Sequence, residues 1–271
     1  MEKIEKQPNR RVLRLEGEDR RTFLQGLITQ DLDGLSAGSA IFTSLLTPQG
    51  KILFDFFVVD NGDDFLIDCH GDAAPALKKR LTLYKLRAKV SVEIDDALCV
   101  TTSADALSAD DGVAFVDPRL ATMGWRAISK TAQGSESAAY HQRRIALGIP
   151  ECGIDFNAEE MFLLDVNYDA LNGVSYKKGC FVGQEVTSRM KRKGEVRRRT
   201  AIANFDGTSP PLGTAITAGE STLGEILSGV DGQALAYIRQ DRLEKAREKG
   251  DDPKCGDLQL NLSFPAYLKT V

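Results

Sequence analysis

The residues most able to do chemistry lie close together, between Lys177 and Lys193. Cys180 follows Lys177, Lys178 and Gly179, and Gly183 opens a stretch from Gln184 to Lys193 that reads as a helix. Positive charge beside a thiol favours the thiolate, the form that attacks electrophiles and binds metals. The positive end of a helix opening at Gln184 would act in the same direction. Gly179 and Gly183 leave the backbone bare for a ligand to approach. Cys180 is thus the candidate reactive thiol, although a cysteine between glycines also reads as a small buried side chain. Gln184 and Glu185 fall in the first helical turn, where acids serve as dipole partners. Glu185 and Arg189 form an i,i+4 pair worth about 0.2–0.5 kcal/mol. The sharper reading has one of them receiving two hydrogen bonds from a heterocycle with an N–H beside an amino group. Only Glu195 is acidic within the basic run Arg189–Arg199. That run reads as a solvated connector or as an anion site. No aromatic residues interleave it, so base stacking lacks support. The two histidines, His70 and His141, are distant in sequence, and no local Cys–His pair exists.

The chain that positions these residues has 271 residues, 42% hydrophobic and 27% charged, with a formal net charge of −4. Such a chain folds as roughly two ordinary domains. The charge balance argues against general nucleic-acid coating. No apolar run approaches the ~18 residues of a membrane helix, so no membrane contact is expected. The start of the chain shows no secretory signal. The five cysteines, Cys69, Cys99, Cys152, Cys180 and Cys255, are odd in number and scattered. They fit neither a disulfide framework nor a zinc knuckle. No metal site is expected, and free thiols point to a cytoplasmic protein.

Val12–Leu15 reads as a strand and Asp19–Ile28 as a short helix. Thr47-Pro48-Gln49-Gly50-Lys51 is a turn, and Asp60-Asn61-Gly62-Asp63 joins Ile52–Val59 to Phe65–Asp68 in a hairpin. Asp72–Tyr84 and Tyr140–Leu147 read as helices. Short β-like runs follow at Thr200–Phe205, Thr214–Thr217, Gly224–Ser228 and Ala234–Ile238, the pattern of a small barrel or sandwich. Residues 1–195 form an α+β region and 196–271 a second domain. Strict β-α alternation, a G-x-G-x-x-G run and a P-loop are all absent, which argues against a nucleotide-binding sheet.

Lys178-Gly179-Cys180-Phe181-Val182-Gly183-Gln184-Glu185 resembles the K-G-C-[FY]-x-G-Q-E signature of the YgfZ family, folate-binding relatives of the glycine cleavage T-protein. Gln25–Leu32 is similar to the family's Q-G-x-x-T-x-D-[VL] run, Thr47–Ile52 to the turn that follows, and Tyr84–Val90 to Y-x-L-R-x-K-V. Asp117-Pro118-Arg119 with Gly124-Trp125-Arg126 resembles D-x-R…G-x-R, and Gly148–Glu151 also has a counterpart. The resemblance implies a T-protein-like α+β fold. Two lobes, 1–45 with 122–195 and 46–121, would surround a central folate channel, with a C-terminal β-barrel at 196–271. It implies tetrahydrofolate or a derivative as cofactor, lined by Lys178, Gly179, Gly183, Gln184, Glu185, Trp125 and Arg144. It also implies iron–sulfur client enzymes or assembly proteins as partners.

The reading that follows is an accessory protein supporting assembly or repair of iron–sulfur enzymes, tRNA-thiomethylating radical enzymes among them, through the Cys180 thiol. A cluster held by this chain alone is not expected, because such sites need about four thiolates. A second reading is a folate-dependent aminomethyl or one-carbon transferase with Asp55 as its acid. Phe54 stands where T-proteins carry another acid, and losing a carboxylate near the reacting carbon removes transition-state stabilisation. A third reading is an RNA-binding module, with weak tRNA contact through Arg189–Arg199. About five phosphate contacts would give a salt slope near −4.5.

Overall fold

The computed structural model describes residues 4–194 and 196–270. Glu195 and the side chain of Lys193, both in the basic run, lie outside the described residues. The chain packs as two compact units, each discontinuous in sequence. Unit 1 runs to Tyr140 and takes in Asn172–Gln184, while unit 2 joins His141–Leu171 to the residues from Glu185 onward.

Unit 1 carries β1 (Glu5–Lys6), β2 (Arg10–Glu16), α1 (Arg20–Gln25), β3 (Ala40–Leu46), β4 (Ile52–Asp60), β5 (Phe65–His70), α2 (Ala74–Tyr84), β6 (Ser91–Ile94), β7 (Cys99–Ser103), β8 (Gly112–Val116) and β9 (Trp125–Ser129). They form one sheet in the order β3-β4-β5-β2-β6 and another in the order β1-β7-β9-β8. β4 is buried along its whole length, with no polar-out alternation. Phe54, Phe56 and Val58 pack with Leu24 of α1 and Leu77 and Leu81 of α2. Val59 turns the other way, onto Val100, Phe115 and Ile128 of the second sheet. A strand covered on both faces needs a continuous apolar run, and each such side chain contributes about 1.5–3 kcal/mol. α1 stops at Gln25, short of the Ile28 expected from the apolar spacing. The chain turns there because Thr29 N–H bonds to the Ser44 carbonyl at 3.0 Å, a sheet contact that a continued helix would forfeit.

The second sheet also meets a buried ionic group. Asp68 on β5 accepts hydrogen bonds from Arg10 and Arg126, each at 2.6 Å. Arg126 and Arg119 donate to the Tyr140 hydroxyl at 3.2 and 2.8 Å, and Arg119 also holds Asp117 at 2.8 Å. The Arg126 and Arg119 guanidinium groups lie 4.2 and 4.9 Å from the Phe57 ring centre. Shared acceptors and ring faces offset the cost of taking these charges out of water.

The remaining elements are α3 (Ala139–Leu147), α4 (Gln184–Lys193), β10 (Arg198–Asn204), β11 (Ala215–Ala218), β12 (Ser221–Val230), β13 (Gln233–Arg239), α5 (Gln240–Lys249), β14 (Lys254–Cys255), β15 (Leu258–Gln259) and β16 (Asn261–Ser263). Seven strands of unit 2 pair in the order β15-β14-β11-β12-β13-β10-β16. The outermost strands, β15 and β16, are separated in sequence by Leu260 alone. The sheet must therefore curl until its edges nearly meet, which makes a barrel. Ala201, Ile216, Leu223, Ala236 and Ile238 fill it, and α5 adds Leu243 and Ala246.

Candidate functional site

The stretch Asn172–Gln184 is held by backbone carbonyls. The Thr29 hydroxyl donates to the Gly173 carbonyl at 2.6 Å, and the Gln30 amide to the Asn172 carbonyl at 2.6 Å. Asn172 in turn donates to the Pro118 carbonyl at 3.0 Å. The strongest anchor is Lys178. Its buried ammonium donates to the carbonyls of Gln25, Ile28 and Gln30 at 2.8, 2.7 and 2.9 Å. An ammonium has three donors, and all three are used. Burial pulls this ammonium down to about 8, against the opposing pull of Asp31 and Asp33. Lys178, expected beside the cofactor and the thiol, thus fixes the segment to the end of α1.

Gly183 has φ +80°, and a Cβ there would stand 2.8 Å from the Thr47 carbonyl oxygen and 3.0 Å from the Gly50 Cα. Only glycine lets the segment lie against the Thr47–Gly50 turn. Two motifs well over a hundred residues apart in sequence are thereby in contact. Gly179 differs: a Cβ there would meet nothing within 4 Å. The fold itself makes no demand for that glycine. Next to it Cys180 is exposed, with no polar partner among the described residues. Cys69 and Cys255 are buried, and Cys99 and Cys152 are half-buried. Burial pushes the Cys69 thiol up to about 12. Cys180 is therefore not a small buried core side chain.

Gln184 starts α4 and reaches back to the Gly179 carbonyl at 3.4 Å, and Glu185 is exposed in the first turn. Trp125 is half-buried at the start of β9, paired with Ser103 and Val116. Arg144 is fully buried in unit 2, where it holds Asp155 at 2.6 Å and the Ser228 hydroxyl at 2.8 Å. Its charge is balanced inside that unit. Asp55 is buried on β4 opposite Ser44 of β3. The basic run does not form a continuous free stripe. Lys191 and Arg199 both pair with Asp169, and Arg198 donates to the Tyr237 hydroxyl at 3.3 Å. The anchoring role of Thr29 and Gln30 went unread in the sequence, because their partners are backbone carbonyls that carry no residue-type signal. Among the described residues no group of three or more His, Cys, Asp and Glu side chains is placed to hold a metal ion. No helix among them is long and apolar enough to cross a membrane.

Residues 197–270 match the family model of the CAF17 C-terminal beta-barrel domain. The whole chain superposes on the glycine cleavage system aminomethyltransferase T from Bartonella henselae with a TM-score of 0.74 at 14% identity, covering 98% of this chain and 85% of that one. The α+β, T-protein-like fold with a C-terminal barrel is the one expected. The chain is 30% identical to the human mitochondrial iron–sulfur cluster assembly factor IBA57, covering 87% of this chain and 77% of the relative. The mouse protein is 29% identical with the same coverage. A Neurospora crassa homologue is 30% identical, and the chain spans 55% of its length. These relatives are named mitochondrial, which overturns the cytoplasmic expectation. Unpaired thiols mark a reducing surrounding and do not tell one reducing compartment from another. With this identity over most of the human protein, the chain belongs to the IBA57 family of iron–sulfur cluster assembly factors.

Proposed function

We propose that this protein supports iron–sulfur cluster assembly through the thiol of Cys180, with tetrahydrofolate as its cofactor. The observation that carries the proposal is that Cys180 is the one exposed cysteine among the five. It stands on a segment whose neighbouring polar groups are spent on holding the segment still. A fixed, accessible thiol suits a ligand or nucleophile that a partner must reach. Cluster sites use about four thiolates, so Cys180 supplies one and an assembly partner or client supplies the others. Gly179 keeps the approach to the thiol open.

The folate part of the reading, of the YgfZ type, rests on the T-protein-like fold and on a buried hydroxyl. The Ser44 Oγ is wholly buried and has no partner among the described residues. Leaving such a group unpaired costs roughly 1–3 kcal/mol, which a polar ligand would offset. Ser44 faces Asp55 across the β3–β4 register, and a hydroxyl beside a carboxylate fits the N–H and amino edge of a pterin. Gln184, Glu185 and Trp125 are the further residues proposed to border it. Bound tetrahydrofolate supplies a nitrogen that carries one-carbon units. Asp55 and Ser44 would orient the ring.

The test is complementation of cells lacking the gene, with wild type or Cys180→Ser at equal protein levels. Iron–sulfur enzyme activity and tRNA thiomethylation should fall in the deletion and return only with wild type. Steady iron–sulfur activities with a loss of glycine cleavage flux, restored by wild type but not by Asp55→Asn, would assign the protein to the transferase class.

A further inference from the structure

The barrel of unit 2 carries a second charged site, independent of Cys180. Arg198 on β10 lies directly opposite Arg239 on β13 in the antiparallel register. Like charges at directly opposed positions repel, and here Asp165 beside Arg198 and Asp241 on Arg239 offset that repulsion. Arg242, on the first turns of α5, joins them at the rim of a cleft of about 230 Å³. Tyr237 and Glu225, themselves opposed on β13 and β12, line the same cleft.

The guanidinium groups are only partly committed. Arg198 uses one nitrogen, donating to the Tyr237 hydroxyl at 3.3 Å, with its carbon 5.4 Å from the ring centre. Arg239 grips Asp241 with Nε and Nη2 at 2.9 and 2.6 Å, which leaves Nη1 free among the described residues. Arg242 donates from Nη1 to the Thr222 carbonyl at 2.6 Å. Glu225 lines the cleft yet forms no ion pair with any of the three among the described residues. Asp241 shows that one guanidinium fork satisfies a planar carboxylate. The unspent N–H groups of three guanidinium groups, from two strands and a helix, suit an anion with more oxygens, arranged tetrahedrally.

We propose that this cleft binds a phosphate group, held by Arg198, Arg239 and Arg242, with Tyr237 positioning Arg198. Its volume of about 230 Å³ has room for a phosphate with a small substituent. Glu225 is placed to accept a hydrogen bond from a hydroxyl on that substituent and to repel anions that carry none. The Tyr237 phenol, pushed up to about 12 by burial and by the neighbouring Asp165 carboxylate, keeps its proton at neutral pH and shares it with Asp165.

The experiment is calorimetric titration of the full chain with inorganic phosphate, ribose 5-phosphate and succinate at constant ionic strength. Saturable binding of at least one phosphate and none of succinate is expected. Tighter binding of the ester would identify a sugar phosphate as the ligand, and equal binding would identify free phosphate. Arg198→Gln and Arg242→Gln should each weaken binding about tenfold, as loss of a charge-assisted hydrogen bond does. Lys245→Gln removes the same charge from α5 outside the cleft and should change affinity less than about twofold, within the range of a distant surface charge. Unchanged circular dichroism would verify folding of each variant. Absence of saturable phosphate binding, equal binding of succinate, or equal weakening by Lys245→Gln would overturn the proposal.

Discussion

Cys180 and Cys69 illustrate how far residue type alone carries an argument. Both are free thiols, yet one is exposed and the other is buried and pushed up to about 12. At pH 8 a thiol reagent should therefore modify Cys180 first, while Cys69 reacts only as fast as the chain unfolds. Peptide mapping over a time course would check this, and simultaneous labelling of the two would contradict it. The K-G-C-F-V-G-Q-E motif marks the cysteine that the structure exposes, but not what its neighbours do. Lys178 was read as a charge beside the thiol, and it is a staple across three carbonyls. Lys178→Ala should cost about 3 kcal/mol in urea unfolding, since it strips a donor from each of three carbonyls. Gly183→Ala should cost about 1–3 kcal/mol through its positive φ, whereas Gly179→Ala should stay within about 0.5 kcal/mol of wild type. Equal losses at the two glycines would refute the distinction.

At the scale of elements, the periodicity of the sequence located most of what was built. α4 spans the predicted Gln184–Lys193, and the β4–β5 hairpin turns at the predicted Asp60–Asp63. α5 went unread because it buries only Leu243 and Ala246 beneath an otherwise charged surface. The short strands β14 to β16 carry too few residues to show alternation. The ionic layer of unit 1 was visible only as D-x-R and G-x-R fragments, since Asp68 belongs to a strand that reads as apolar. Asp68 serves both Arg10 and Arg126, so Asp68→Asn removes the carboxylate the two guanidinium groups share and leaves Arg126 with Asp117 at 3.8 Å. Breaking a buried pair this way costs about 3–5 kcal/mol. The measurement is the denaturant midpoint with its slope unchanged, and a loss below ~1 kcal/mol would show that the layer carries little stability.

At the scale of the whole molecule, each compact unit gathers segments that are far apart along the chain. Local patterning cannot report such closure. The return of 172–184 to the Thr47–Gly50 turn carries no local signal in the sequence. Barrel closure was legible as a series of short strands, and the meeting of its edges at Leu260 was not. The proposed function requires the Cys180 thiol to take part in iron–sulfur cluster assembly. It is tested most directly by reconstituting an apo iron–sulfur enzyme with a purified cluster donor, with and without this protein. Client activity should recover faster with wild type and show none of that gain with Cys180→Ala, whose unfolding temperature should match wild type. Equal acceleration by Cys180→Ala would show that assembly does not run through this thiol.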